Sequence, residues 1–313
     1  MVGSALNAVR ERVRAKPWLL LTLLPLVLWP SFRFAVGERR WEYVAIIVGC
    51  PLLAYWNERT NRLYVGLYPI GVLGLVYDMM RFVKNWGLSP ERIHICDLRA
   101  IEMSIFGIGS GSSRTTVHDW IQAHPSPWLD RFFAIPYGTF IFASLAFAIF
   151  LYVKDYEAMR VFCWTFLLMN LMGFVTYHVY PAAPPWYYHA YGCHVDLAAR
   201  ASEGPNLARV DAWMGFPYFA GFYGRSNDVF GAVPSLHVAY PLLILLYGYR
   251  RSGVGLRVAS IAFFVSMCLA AVYLDHHWIV DVLLGFLYTV AANWIAKLVV
   301  ERLHGPVAER ATA

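Results

Sequence analysis

Charge is what this sequence has least of. Asp, Glu, Lys and Arg make up 15 % of its 313 residues, against roughly 25 % in soluble globular domains. A soluble fold of this length needs a polar skin that so few charges cannot supply, which excludes an ordinary aqueous enzyme. A hydrophobic fraction of 59 % excludes a disordered chain. Cysteine is sparse: there are five, none in a C-x-x-C pair and none spaced with histidine as in a zinc site. No H-E-x-x-H run, internal repeat or low-complexity tract occurs. The net charge of +6 is not gathered into a nucleic-acid-binding stripe. It falls in short clusters beside apolar runs, as in integral membrane proteins.

Spanning a bilayer takes about 17–25 apolar residues in a helix, and helices are the form that bonds every backbone group internally. Eight segments qualify as candidates: 18–36, 41–56, 64–83, 131–153, 158–180, 235–250, 256–274 and 278–299. The second is short enough to be tilted or re-entrant. The expected fold is an all-α polytopic membrane bundle. Arg10, Arg12, Arg14 and Lys16 before the first span resemble the start of a signal peptide. No small-residue cleavage site follows, so the span is expected to remain. Cys50, Cys163 and Cys268 fall inside apolar runs and read as packing residues.

Two polar segments, 84–130 and 181–234, interrupt the spans. Asp97–Glu102 in the first suits a short interfacial helix, and Pro181, Pro184 and Pro185 in the second oppose continued helix. Cys96 and Cys193 lie one in each segment, where a disulfide is possible. Arg59, Arg62, Lys154, Arg250, Arg251, Arg257, Lys297, Arg302 and Arg310 fall on one side of the alternating spans. Only Arg39 and Arg40 lie in the short loop opposite. The positive-inside rule then makes both termini cytoplasmic and turns the long segments outward.

Two stretches carry groups capable of chemistry. Gly231–His237 reads G-A-V-P-S-L-H at the outer start of the sixth span. Ser235 suits the N-cap, and the N–H groups of a first helical turn attract anions, which makes Gly231, Ser235 and Leu236 candidate phosphate-binding positions. His237 lies in that first turn. The second stretch, His276-His277-Trp278-Ile279-Val280-Asp281, opens the eighth span. His277 and Asp281 are i and i+4, so a carboxylate can hold one imidazole nitrogen and leave the other as a nucleophile. A lone histidine at a helix end or an i,i+4 His–Asp pair is ordinarily structural. Two such ends at one membrane face, with ionisable groups inside spans, favour function. A metal held by His237, His276, His277 and Asp281 is the competing reading.

P-S-L-H followed by H-x-x-x-D resembles the second and third signature motifs of the type 2 phosphatidic acid phosphatase superfamily. Tyr180-Pro-Ala-Ala-Pro184-Pro-Trp186-Tyr-Tyr, then Val229–His237, then Tyr273–Trp278 are similar to the inositol phosphorylceramide synthase branch. His124-Pro125 through Pro136-Tyr137 is also reminiscent of it. The resemblance covers about residues 64–300. It implies a six-helix catalytic core over 64–300, preceded by a tail and two accessory helices over 1–63 and followed by a cytoplasmic tail, 301–313. It further implies catalysis without metal or other cofactor: His277 as nucleophile, Asp281 as its orienting carboxylate, His237 as acid and then base.

This chain departs from the phosphatases of that superfamily. Their Lys-x6-Arg-Pro motif is replaced by Thr176-Tyr177-His178-Val179-Tyr180, and Ala271 stands where a Ser-Arg pair would precede the nucleophile. Cations that would clamp a phosphomonoester dianion are missing, and a phosphodiester monoanion needs fewer. The expected activity is therefore transfer of a phospho-head group, phosphoinositol first, from a phospholipid donor to ceramide or another lipid alcohol. The alternative is a lipid phosphate phosphatase, and a catalytically dead scaffold is the third reading. Arg225, or Arg81 with Asp78, is available to supply a cation. Tyr180, Pro184, Trp186 and His276 are further candidates for touching substrate. The aromatic cluster at Trp186, Tyr187, Tyr188 and Tyr191 suits an interfacial anchor or a lid. His178, His189 and His194 are expected to be neutral surface or structural residues.

Overall fold

A computed structural model describes residues 2–84, 86–201, 204–224 and 229–304. Among these, fourteen α-helices and no strand occur. In chain order they are α1 (Val2–Ala15), α2 (Trp18–Ala35), α3 (Trp41–Tyr55), α4 (Glu58–Val83), α5 (Cys96–Phe106), α6 (Val117–Ala123) and α7 (Pro127–Lys154). Then come α8 (Tyr156–Val179), α9 (Pro185–Tyr191), α10 (Pro205–Met214), α11 (Tyr218–Tyr223), α12 (Leu236–Arg251), α13 (Val254–Tyr273) and α14 (Ile279–His304).

Every expected span is a helix, but polar capping moves several ends. The third begins at Glu58 rather than residue 64. Asn57 accepts from Thr60 N–H at 2.9 Å while Thr60 Oγ1 accepts from Asn57 N–H at 3.1 Å, a reciprocal cap that makes a polar first turn helical. The fourth begins at Pro127, whose fixed φ suits a first helical position. Among the described residues, six helices (α2, α4, α7, α8, α13 and α14) are long and apolar enough to cross a bilayer. The other two expected spans are shorter: α3 has 15 residues and α12 has 16. α12 packs among α7, α8, α13 and α14, so its length need not match lipid.

α8 is the most enclosed of the long helices. Around it α4, α7, α12, α13 and α14 share one apolar core that includes Tyr137, Phe162, Met169, Leu243 and Met267. α2 and α3 form a smaller cluster against α4 through Leu19, Leu23, Ala54 and Tyr64. Lys16 ties that pair down by bonds to Glu58 and Asn61, both at 2.9 Å.

The two polar segments fold together over the end of the bundle where α12 and α14 begin. Their backbones meet in a short parallel ladder. His94 N–H donates to Pro181 O, Ala183 N–H to His94 O, Ala182 N–H to Phe230 O and Ala232 N–H to Ala182 O, all between 2.7 and 3.1 Å. Cys96 and Cys193 form a disulfide across the two segments. Proline ends α8 as expected, yet Pro185 then starts α9, as proline can at a first turn. Trp186 and Tyr187 are buried against Ile93, Ile95 and Phe230. They pack α9 onto the ladder and are not a membrane anchor, because α9 turns its aromatic face inward.

Candidate active site

The ladder ends at Ala232, and that residue sets the first histidine. His277 lies in the turn before α14, its backbone N–H held by Ala271 O at 3.0 Å. His277 Nδ1 is 2.9 Å from the Ala232 carbonyl. A carbonyl only accepts, so Nδ1 carries the proton and Nε2 presents a lone pair. His277 Nε2 is 2.9 Å from His237 Nδ1 on α12. His237 Nε2 is 3.0 Å from the Tyr223 hydroxyl at the end of α11. One hydrogen-bond direction satisfies the whole row: Tyr223 O–H to His237, His237 N–H to His277, His277 N–H to Ala232. Tyr137 stacks on His237, ring centroids 4.3 Å apart at 12°. Two residues 40 positions apart are thus brought into contact, with their rings fixed on both sides.

Burial holds the His277 imidazole down to about 4, against the bond it donates to the Ala232 carbonyl, which favours the charged form. His277 is therefore neutral at physiological pH, the form a nucleophile needs.

Asp281 does not bond to His277. Its Oδ2 is 3.7 Å from His277 Nδ1 and accepts instead from Trp278 N–H at 2.9 Å. The i,i+4 spacing puts the two on one face, but the Ala232 carbonyl takes the bond expected of the carboxylate. Asp281 caps the first turn of α14, and its backbone carbonyl accepts from Ser235 N–H at 3.0 Å. Ser235 is fully buried and caps α12 by accepting from Val238 N–H at 3.4 Å. It holds the turn in place, while its neighbours Gly231 and Leu236 line the cavity. Gly285 makes this join possible: a Cβ there would lie 2.3 Å from Ser235 O.

In front of the two histidines is a cavity of about 720 Å³. Pro184, Trp186, Gly231, Ala232, His276 and His277 line its outer end. Apolar side chains of α4, α7 and α8, among them Leu73, Phe140 and Phe174, line the part within the bundle. His276 donates from Nδ1 to Leu274 O at 2.8 Å, and its buried Nε2 has no partner. Burial lowers the His276 imidazole to about 4, so that nitrogen is an acceptor.

Other expected candidates lie elsewhere. Asp78 and Arg81 bond to each other at 2.6 Å, and Arg81 also reaches Glu38 at 2.9 Å and Tyr43 at 2.8 Å. They tie α4 to α2 and α3 and do not line the cavity. Tyr180 stacks on His94 with centroids 3.7 Å apart, beside the ladder. Arg225 lies outside the described residues. Ala271 is fully buried and uses its carbonyl to hold His276 and His277. Among the described residues, no group of three or more His, Cys, Asp or Glu side chains is placed to hold a metal.

A polar brace behind the histidines was not legible in the sequence. Asp275, fully buried with φ of 67°, bonds to His118 at 3.1 Å and His189 at 2.6 Å. His189 reaches Asp119 at 2.9 Å, and Asp119 bonds to Arg99 at 2.6 Å. Burial opposes the charge on His189, but Asp275 and Asp119 outweigh it and raise the imidazole to about 8. His189 is thus a structural residue, one of the two expectations for it, but a cation at neutral pH rather than neutral. Glu102, also fully buried, accepts from Ile279 N–H at 3.1 Å and caps α14. The one local signal was the Thr116-x-x-Asp119 capping box that starts α6.

Comparison with known proteins agrees with this geometry. The profile of the PAP2 superfamily matches residues 110–295, which include both histidines. The chain belongs to the PAP2 superfamily. It is 36 % identical over 232 residues to the phosphoinositol dihydroceramide synthase of Bacteroides thetaiotaomicron, covering 72 % of this chain and 74 % of that one. It is 31 % identical to the inositol phosphorylceramide synthase catalytic subunit aur1 of Schizosaccharomyces pombe over 72 % of this chain. For the Saccharomyces cerevisiae AUR1 subunit the identity is 29 % over the same share. The chain spans about half the length of these two fungal subunits, 52 % and 54 %. No solved structure matches it. This PAP2 member is an integral multi-pass membrane enzyme, a phosphotransferase similar to the inositol phosphorylceramide synthases.

Proposed function

We propose that the enzyme moves a phospho-head group, phosphoinositol first, from a glycerophospholipid to ceramide or a similar lipid alcohol through a phosphohistidine. The observation that carries this reading is the bonded pair His237–His277, opening on a largely apolar cavity that runs into the bundle. His277 Nε2 attacks phosphorus, and the P–O bond to the diacylglycerol oxygen breaks. His237, neutral in the free site, takes up a second proton when the anionic phosphate binds beside it and gives that proton to the leaving oxygen. The acceptor alcohol then loses its proton to His237 as its oxygen attacks phosphorus and the P–N bond breaks. Both histidines return to their starting states. Gly231 and Leu236 line the cavity at the start of α12, whose first-turn N–H groups suit phosphate oxygens.

His276 supports a polyol head group. A buried neutral nitrogen that can only accept does not attract phosphate oxygens, but it suits a hydroxyl. The lack of the phosphatase motif cations points the same way. The disulfide suits an oxidising compartment and supports a lumenal, periplasmic or extracellular active face with both termini cytoplasmic. Three outer-side cations, Arg33, Arg40 and Arg81, are matched there by Glu38, Glu42 and Asp78, while Lys84 lines the cavity.

Purified protein in detergent, given labelled phosphatidylinositol and ceramide, should form labelled inositol phosphorylceramide. Release of free phosphate from phosphatidic acid, with no head-group transfer, would sink this reading in favour of a lipid phosphate phosphatase.

A further inference from the structure

Inside the apolar part of the cavity there is one polar pair that the transfer chemistry does not use. Asn170 on α8 is 2 % exposed and Tyr240 on α12 is 7 % exposed, and both line the cavity. The Tyr240 hydroxyl donates to Asn170 Oδ1 at 2.7 Å, and Asn170 Nδ2 donates to Phe166 O at 2.7 Å. A primary amide has two N–H donors and a phenol oxygen also accepts. The pair therefore keeps one donor, on Asn170, and one acceptor, on Tyr240, beyond the bonds it makes.

A second Asn–Tyr pair shows that such a tie need not open on a cavity. Tyr247 donates to Asn293 at 2.8 Å between α12 and α14, and neither residue lines the cavity. Asn170 and Tyr240 sit otherwise. Tyr240 follows His237 by three residues, about 4.5 Å further along the α12 axis. The register is locked because Leu236 lies against Gly173, one turn of α8 from Asn170. Tyr240 thus sits one helical turn inward from His237, in surroundings where an unmatched polar group is costly.

We propose that Asn170 and Tyr240 form the acceptor-selecting subsite, which recognises an N-acyl amino alcohol by the amide or secondary hydroxyl next to its reacting primary hydroxyl. This rests on the transferase reading above. In such an acceptor, the amide nitrogen lies three bonds from the reacting oxygen, the secondary hydroxyl oxygen four and the amide oxygen five, all within about one helical turn of it. The amide N–H meets Tyr240 Oη, and the amide or hydroxyl oxygen meets the Asn170 N–H. A diacylglycerol offers only ester oxygens there and leaves Tyr240 unmatched. A site built to bond a polar group rejects the analogue lacking it more strongly than it rejects a change of chain length.

The test uses the full chain in phosphatidylcholine nanodiscs with labelled phosphatidylinositol. Ceramide and a short-chain diacylglycerol compete as acceptors. The wild type should favour ceramide, and Asn170→Leu and Tyr240→Phe should each lower that ratio by about tenfold. Asn293→Leu should leave the ratio unchanged. With the wild type, an acceptor N-methylated at the amide and lacking the secondary hydroxyl should react about tenfold more slowly than ceramide, a result that needs no folded variant. Equal rates for that analogue and ceramide, or variants that slow both acceptors alike, would overturn the inference. Transfer to neither acceptor would overturn the transferase reading itself.

Discussion

His277 faces His237 across 2.9 Å because the Ala232 carbonyl, also at 2.9 Å, holds the other side of its ring. Backbone from a loop does the orienting that a carboxylate was expected to do. The carbonyl is fixed in turn by the ladder from residue 94 through 182 to 231. The geometry of the histidine pair depends on segments that supply neither histidine.

Removing the proposed nucleophile should stop the reaction. His277→Ala is expected to retain less than about one-thousandth of the transfer rate. His237→Ala should lose about 10²- to 10⁴-fold, the usual share of a positioned acid and base. Labelled lipid should leave label on the His237→Ala protein and none on His277→Ala. Label on neither, in protein that still binds donor, would count against a phosphohistidine.

Tyr223 orients His237 by one neutral hydrogen bond. Tyr223→Phe should lower kcat by roughly 2- to 13-fold, the value of about 0.5–1.5 kcal/mol, with donor KM unchanged. A KM rise at constant kcat would show that the hydroxyl binds substrate instead.

Gly285 lets α14 lie against Ser235. Gly285→Ala puts a Cβ 2.3 Å from a backbone oxygen that cannot move without the α12 cap. We expect about 1–3 kcal/mol of destabilisation, the usual range for overpacking. Thermal unfolding in detergent measures it, and Gly49→Ala, where no atom lies within 4 Å, is the control.

The His189 cation makes stability depend on pH. Its folded value is raised from 6.5 to about 8 by Asp275 and Asp119, while Arg99 also faces Asp119 and His118 faces Asp275. A raised folded value stabilises fully below about 6.5, and that contribution fades as pH rises through 8. Between those limits the protein should lose on the order of 1–2 kcal/mol. His189→Gln should remove this step from a plot of unfolding temperature against pH. An unchanged step would assign it to another group.

The helical membrane architecture was legible from composition and run length, because lipid demands apolar spans with internally bonded backbone. The meeting of the two candidate histidines was legible too, since His237 and His277 each stand at the start of a span at the same end of the bundle. Helix ends were less so: the turn Glu58–Arg62 is polar, and only the Asn57–Thr60 cap makes it helical. Partners were not legible. Ala232 has no side-chain signal for the role its carbonyl performs. Asp281 stands at the spacing for a direct bond and makes a cap instead. Asp78 and Arg81, read as possible substrate contacts, are taken up by Glu38 and Tyr43 from another helix. Apolar spans follow from solvent, which acts on each residue where it stands. Which carbonyl, carboxylate or amide meets a given histidine depends on how distant loops close over the bundle, and packing alone decides that.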